Sequence, residues 1–132
     1  VTFTGEFFTL TDALCEPKPV QRPHPPIVIG GSKPKMLRVI ARHADEWNMP
    51  NHGRPAEWGE TNRRLDQACA DVGRDPGKVR RSVQLFLHPR TPGQVDGQLD
   101  LLPQYRDLGC QHTVLSFYQP PDTELLERCA AL

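Results

Sequence analysis

The sequence predicts an α/β fold, a partial TIM (β/α) barrel of about four strand-then-helix units, in a single domain of residues 1–132. Short apolar runs alternate with longer segments whose apolar residues recur at helical spacing. Glycine or proline separates most of these segments. Strands that alternate with helices imply a parallel sheet. Four such units form half of an eight-stranded barrel, or a small open sheet.

Residues 1–26 precede these units and differ from them in composition. Thr, Phe and Leu alternate around Gly5 in residues 2–11, which predicts a short hairpin or two extended segments hinged at the glycine. Residues 17–26 are rich in proline, which excludes helix and favours an extended, polyproline-like surface loop. We therefore assign residues 1–26 to an extended insertion with a Pro-rich loop, and residues 27–132 to the strand-helix units.

The first unit begins with the wholly apolar run Ile27-Val28-Ile29, which predicts a parallel strand buried on both faces. Gly30-Gly31-Ser32 ends this strand. A helix is predicted from about Pro34, with apolar residues at helical spacing. Those residues are Leu37, Ile40, Ala41 and Ala44.

Three further units complete the pattern. Their predicted strands are residues 46–49, 81–87 and 112–116. The helix after the first of these strands begins near Pro55 and ends at Gly73. The helix of residues 91–108 is expected to kink or split at Pro103, and a final helix opens at Pro121-Asp122.

Composition limits the class of partner. Lys plus Arg and Asp plus Glu both number 16, so the formal net charge is zero and nothing argues for nucleic acid. No apolar run approaches the roughly 18–20 residues that span a bilayer, so we expect no membrane partner. The scattered cysteines are expected to be reduced thiols in a cytoplasmic protein. The four cysteines and five histidines lack metal-ligand spacing, which predicts neither a metal site nor a disulfide framework. A small-molecule partner is the remaining expectation.

The Gly-Gly turn after the first strand is the main candidate for a binding site. Gly30 and Gly31 have no side chains, so backbone N–H groups can approach a phosphate closely while the positive end of the next helix points at the same anion. Ser32 and Lys33 add a hydroxyl and a charge. On the local pattern alone, a tight connection is the more frequent explanation of such a turn.

Residues 17–48 closely resemble the central signature of the bacterial luciferase-like family, which includes flavin-dependent monooxygenases and oxidoreductases that use the deazaflavin coenzyme F-420. In that family a Pro-rich lead-in, a strand ending in Gly-Gly, a helix and an Ala-Asp-Gly-Trp-Asn type strand follow one another. This chain has Ala44-Asp45-Glu46-Trp47-Asn48, with Glu46 where the family commonly has Gly. Phe3-Thr-Gly-Glu-Phe-Phe8 and Gly73-Arg-Asp-Pro76 also look like family segments.

The resemblance implies that the chain is the C-terminal half of such a barrel and binds a reduced flavin-type cofactor through its phosphate. Coenzyme F-420 is the expected cofactor and FMN the alternative, and the implied reaction oxidises or reduces a small organic substrate. The expected cofactor-binding residues are Gly30, Gly31, Ser32, Lys33, Trp47 and Asn48. No catalytic residue is assigned, because the N-terminal strands that supply most chemical groups in the family are not in this sequence.

A second interpretation is a non-catalytic half-barrel that serves as a binding or dimerisation module. Its exposed sheet edges would be covered by a second copy in a homodimer, or by the missing N-terminal half of the barrel.

Several other residues have competing interpretations. Trp47 is equally consistent with stacking beside an isoalloxazine ring and with packing. Asp45 is expected to brace the backbone rather than to act as a catalytic acid. His52 and His88 follow predicted strands and could reach the mouth of a cleft. The remaining basic positions are interpreted as solvated surface: Lys33, Lys35, Arg38, Arg42, Arg80 and Arg81.

Overall fold

A computed structural model describes residues 1–14, 16–51, 54–89, 91 and 93–131, with only the backbone of Asn51. The first described segment forms a small hairpin, in which β1 (Phe3–Thr4) pairs antiparallel with β2 (Thr9–Leu10). The Gly5 amide donates to the Phe8 carbonyl at 2.9 Å and closes the turn. The structure therefore confirms the predicted hairpin.

Parallel strands form the main sheet. In chain order they are β3 (Val28–Gly30), β4 (Glu46–Asn51), β5 (Arg80–Leu87) and β6 (His112–Phe117), and each pairs with the next in parallel. The spatial order of the strands equals their order in the sequence, as in a (β/α) barrel. Among the described residues the sheet does not close, and β3 and β6 are its two edges. The predicted α/β fold and partial barrel are thus confirmed.

Helices connect and cover these strands. They are α1 (Pro34–His43), α2 (Pro55–Asp71), α3 (Gln94–Leu99), α4 (Leu102–Asp107) and α5 (Thr123–Ala130). The predicted split near Pro103 is confirmed, because α3 and α4 are separate and Pro103 lies in the first turn of α4, where a missing N–H is tolerated. A short 3₁₀ helix, Pro76–Lys78, precedes β5 and was not predicted.

The main core lies between one face of the sheet and the helices. We call this the helix face, and the opposite face the inner face. The predicted apolar stripe of α1 is buried in this core. The rings of Trp47 and Trp58 stack with centroids 5.3 Å apart, and Tyr105 meets Trp58 edge-on at 6.0 Å. A second cluster contains Leu87, Val95, Leu99 and Leu125. None of the described helices is long and apolar enough to span a membrane.

The prediction that the first strand is buried on both faces is wrong. Val28 is 56% exposed, and Ile27 just before the strand is also exposed. The reason is topological, because β3 is an edge strand and the described helices cover only one face of the sheet. Burial on both faces requires a closed barrel or a second layer.

The interpretation of Arg81 as solvated surface is also wrong, since this residue is only 6% exposed. Its guanidinium donates to Asp66 Oδ1 and Asn62 Oδ1, both at 2.6 Å, and to the Val79 carbonyl. The side chain therefore joins α2 to the start of β5. Arg80 and the basic residues of α1 are exposed, as expected.

Candidate functional site

The candidate site lies where β3 ends, at the carboxyl ends of the parallel strands. We call these ends of the strands the carboxyl edge, and the opposite ends the amino edge. Because all four main strands are parallel, the residues that follow Gly30, Leu87 and Phe117 lie at one edge. In barrels and open α/β sheets, ligands bind outside this edge. Gly30, Gly31, Ser32 and Lys33 form the continuous turn from β3 to α1, which we call the glycine turn.

Gly31 is the residue of this turn that most needs to be glycine. Its φ is +136°, a conformation that side chains rarely adopt, and a Cβ there would lie 2.5 Å from Met36 Cγ. The absence of a side chain thus lets the turn approach the first turn of α1 closely. Gly30 is less constrained, because a Cβ on it would make an ordinary contact of 3.4 Å with the Asn48 carbonyl oxygen.

The N-terminus of α1 is open to an anion. Lys33 occupies the N-cap position without a side-chain hydrogen bond, and the first turn contains no acidic residue. The first amides of a helix have no partner within it, and they carry partial positive charge. By contrast, the Asp122 carboxylate caps α5 by accepting from the Leu125 amide at 2.8 Å. Pro34 at the first helical position has no N–H, so a phosphate beside α1 would meet the amides of Lys35 and Met36 and the exposed Lys33 ammonium.

Trp47 contacts the glycine turn from the helix face. Its Nε1–H donates to the Gly31 carbonyl at 2.8 Å, and its ring is fully buried against Trp58. Within this chain the ring has no exposed face for a cofactor to stack on. Of the two interpretations of Trp47, the geometry favours packing, together with support of the turn.

Asn48 lies beside the turn on the neighbouring strand, paired with Gly30 in register. Its Nδ2 donates to Ser82 Oγ at 3.0 Å, and that hydroxyl donates to the Trp47 carbonyl at 3.0 Å. Since side chains alternate along a strand, Asn48 and Ser82 belong to the inner face. The structure thus brings Asn48 next to the glycine turn, but it uses the side-chain amide in bonding between strands.

A polar cluster occupies the opposite, amino edge of the inner face. Glu46 Oε1 lies 2.8 Å from His112 Nδ1, and Glu46 Oε2 lies 3.6 Å from Arg80 Nη1. Burial alone would raise the pKa of Glu46, but the hydrogen bond with His112 and the charges of His112 and Arg80 outweigh it and lower that pKa. In barrels this edge contributes stability rather than ligand contacts. Glu46, the departure from the family motif, therefore belongs to the structural edge.

The expected structural role of Asp45 is confirmed. The Ile27 amide donates to Asp45 Oδ2 at 2.8 Å, and the Asp45 carbonyl accepts from the Arg80 amide at 2.9 Å. Asp45 thus connects the entry of β3 to the entry of β5.

The sequence interpretation missed Tyr118, which follows β6 at the carboxyl edge. Its ring stacks on His88, with centroids 4.2 Å apart and planes 9° apart. The available signal was its position two residues after the predicted strand of residues 112–116. His52, the other histidine expected near the cleft, lies outside the described residues. Among the described residues, no group of three or more His, Cys, Asp or Glu side chains is arranged to hold a metal ion.

Comparison with known proteins gives a consistent result. Residues 1–120 match the family described as luciferase-like monooxygenase. A phthiodiolone/phenolphthiodiolone dimycocerosates ketoreductase of Mycobacterium sp. (strain JLS) is 34% identical over 95 residues, which are 71% of this chain and 25% of that protein. An FMNH(2)-dependent dimethylsulfone monooxygenase of Pseudomonas putida is 40% identical over 50 residues, 38% of this chain and 14% of that protein.

Solved structures share the fold at low sequence identity. An F420-dependent secondary alcohol dehydrogenase in complex with an F420-acetone adduct aligns with a TM-score of 0.71 and 15% identity, covering 96% of this chain and 53% of that one. The coenzyme F420 dependent tetrahydromethanopterin reductase from Methanopyrus kandleri aligns with a TM-score of 0.58 and 11% identity, covering 77% and 48%. The chain spans about a quarter of the first curated relative and about half of these structures.

Proposed function

Because the chain belongs to the luciferase-like monooxygenase family, we propose that it contributes the phosphate-binding site of a flavin- or deazaflavin-dependent oxidoreductase. The observation that carries the proposal is the glycine turn beside the uncapped N-terminus of α1. Gly31 keeps side-chain atoms out of this turn, and the amides of Lys35 and Met36, which follow Pro34, supply donors together with the Lys33 ammonium. These groups fit a phosphate monoester or diester.

The residues of the site have different roles in this proposal. Gly30, Gly31 and Ser32 contact the phosphate, and Lys33 balances its charge. Trp47 positions the turn by donating a hydrogen bond to the Gly31 carbonyl from the helix face. Asn48 fixes the neighbouring strand through Ser82. None of them is assigned a proton-transfer step.

We propose coenzyme F-420 as the cofactor and FMN as the alternative. The Gly-Gly-Ser-Lys-Pro-Lys and Ala-Arg-His-Ala-Asp stretches resemble deazaflavin-dependent members more closely, and two structures of similar fold are F420-dependent enzymes. The relative named as FMNH(2)-dependent supports the alternative. F-420 would supply hydride transfer, whereas reduced FMN would activate dioxygen, and in both cases the protein would bind and orient the cofactor and keep water from the reacting ring. The substrate is then a small organic molecule.

The proposal is tested by titrating the purified chain into F-420 and into FMN and following the quenching of cofactor fluorescence. Gly31→Asp should abolish saturable quenching, because its side chain meets Met36 at a strained φ, which forces the turn to change shape, and because it adds a negative charge to the turn. Gly73→Asp is the matched control, since Gly73 also has a positive φ but has no atom near a Cβ position and lies after α2. Equal quenching by wild type and Gly31→Asp would contradict the assigned site.

A second candidate function is assembly through the open sheet. Two features support it. Edge strand β3 offers unpaired backbone groups to another chain, and its exposed Val28 side chain offers apolar surface. Sedimentation equilibrium tests this idea. A stable monomer over the whole concentration range would contradict a homodimer.

A further inference from the structure

Three rings meet at the carboxyl edge of β5 and β6, away from the glycine turn. Tyr118 stacks on His88 in nearly parallel planes, and the Phe86 centroid lies 5.7 Å from that of Tyr118 with the planes tilted by 40°. We call Phe86, His88 and Tyr118 the ring platform. None of these residues has a role in the site described above.

Hydrogen bonds hold the backbone segments that carry the ring platform. Gln94, at the start of α3, donates through Nε2 to the Phe86 carbonyl at 3.0 Å and accepts through Oε1 from the His88 amide at 2.8 Å. The Tyr118 amide donates to the Leu87 carbonyl at 3.0 Å. The rings thus stand on strand ends that are fixed before any ligand arrives, which lowers the entropic cost of binding.

The platform is accessible as well as ordered. Tyr118 is 59% exposed, and Phe86 and His88 are half-buried. Side chains alternate along a strand, so the platform residues lie on the same face as Gln84 of β5 and Ser116 of β6. That face is the inner face, where Gln84 Nε2 donates to Ser116 Oγ at 2.8 Å. The platform therefore lies at the carboxyl end of the inner face, the end at which barrel ligands bind.

The platform is also well separated from the phosphate site. β6 lies three strands from β3, which at the usual strand spacing is about 14 Å. If a cofactor phosphate binds at the glycine turn, the residues that would hold it are on β3 and α1, and none of them belongs to the platform on β5 and β6. The platform then remains for a second molecule at the same edge.

We propose that Phe86, His88 and Tyr118 form the wall of the reaction pocket that binds the substrate, and that they select a flat, conjugated group such as an aryl ketone or aryl alcohol. This inference rests on the proposed function. An aromatic ring gains from offset or edge-to-face contact with Phe86 and Tyr118, whereas a saturated ring of similar size gains only from burial. The His88 imidazole and the Tyr118 hydroxyl add hydrogen-bonding groups beside the substrate's oxygen.

The test uses the purified chain with ¹³C in its tyrosine rings. The chain has two tyrosines, and Tyr105 is fully buried, so its signal serves as an internal reference for Tyr118. Acetophenone and cyclohexyl methyl ketone, which share the methyl ketone and differ in the ring, are titrated separately. Acetophenone should shift the Tyr118 signal saturably, with an affinity at least about fivefold above that of the saturated ketone, and should leave the Tyr105 signal unchanged.

Two variants make the assignment specific. Phe86→Leu should weaken acetophenone binding at least about threefold, because it removes an aromatic ring that the ligand contacts and leaves Tyr118 in place as the reporter. Phe7→Leu, which changes an exposed ring in the hairpin, should leave binding unchanged. Circular dichroism confirms that both variants are folded.

The proposal is overturned if both ketones bind equally, or if the Tyr118 signal does not respond to acetophenone. It is also overturned if saturating FMN displaces acetophenone, because the cofactor ring would then occupy the platform. The ³¹P signal of FMN reports the glycine turn separately. Failure of the phosphate assignment therefore appears in the phosphorus signal, and failure of the substrate assignment appears in the tyrosine signal.

Discussion

Gly31 and Trp47 form the smallest unit on which the site depends. Gly31 combines a positive φ with a close approach to Met36, and its carbonyl accepts from the buried Trp47 indole. The turn at the glycine pair was predictable from the sequence, because Gly-Gly after a short apolar strand marks a turn, whereas its binding role rests on the family resemblance. The direction of the Trp47 ring was not predictable, because a tryptophan suits both packing and stacking. Only its position on the helix face indicates that the ring packs in the core rather than stacking on a cofactor.

Trp47→Phe should weaken FMN binding and lower stability together. The substitution keeps an aromatic ring in the core but removes the hydrogen bond to the Gly31 carbonyl, which is worth about 1 kcal/mol, or about a fivefold loss of affinity if the turn loosens. Fluorescence titration and urea unfolding measure the two effects.

Trp58→Phe is the matched control for this change. It also removes an indole hydrogen bond, the one at 3.2 Å to the Ser82 carbonyl, but it does not touch the glycine turn. Its stability should fall similarly while its affinity for FMN stays unchanged. Equal loss of affinity in the two variants would show that Trp47 has no specific link to the turn.

At the scale of elements, the sequence predicts whether a segment is a strand or a helix better than it predicts which residues are buried. The parallel strands, the helix stops and the split between α3 and α4 follow from periodicity and proline chemistry, and the structure confirms them. The burial of β3 and the exposure of Arg81 were both predicted wrongly, because each depends on what lies across the fold. Val28 lacks a covering layer, and Arg81 meets Asp66 and Asn62 of α2.

Arg81→Ala should destabilise the chain by about 2–4 kcal/mol, because it removes a buried guanidinium with three acceptors and leaves a cavity between α2 and β5. Arg63→Ala removes an exposed arginine of α2 that pairs with Glu60 and should change stability by less than about 0.5 kcal/mol. Chemical denaturation measures both variants. A small effect at Arg81 would mean that α2 is held by its apolar contacts alone.

At the scale of the whole molecule, the described chain is an open sheet whose chemistry differs between the amino ends and the carboxyl ends of its strands. The amino edge of the inner face joins β4, β5 and β6 through Glu46, Arg80 and His112. The carboxyl edge carries the glycine turn and the ring platform. The division follows the general organisation of barrels, in which one end stabilises the fold and the other binds ligands. The prediction that a ligand binds at the carboxyl edge comes from the sequence alone, whereas the amino-edge cluster depends on strand register.

The amino-edge cluster should make stability depend on acid pH. Since the pKa of Glu46 is lowered in the folded chain, its ionised form stabilises the fold above the ordinary glutamate pKa near 4.5, and this contribution disappears as the pH falls through the folded value. Glu46→Gln should therefore be less stable than wild type at pH 6.

The stability difference between Glu46→Gln and wild type should shrink as the pH is lowered below 4.5. Urea unfolding at a series of pH values measures it. A difference that stays constant with pH would show that the ionised carboxylate contributes nothing through His112 and Arg80.

The most direct test of the phosphate site compares FMN with riboflavin, which differ only in the phosphate, by calorimetric titration of the chain at fixed ionic strength. FMN should bind at least about tenfold more tightly, and the difference should narrow as salt screens the charge. Equal affinities for FMN and riboflavin at low salt would contradict the claim that the turn between β3 and α1 binds the phosphate.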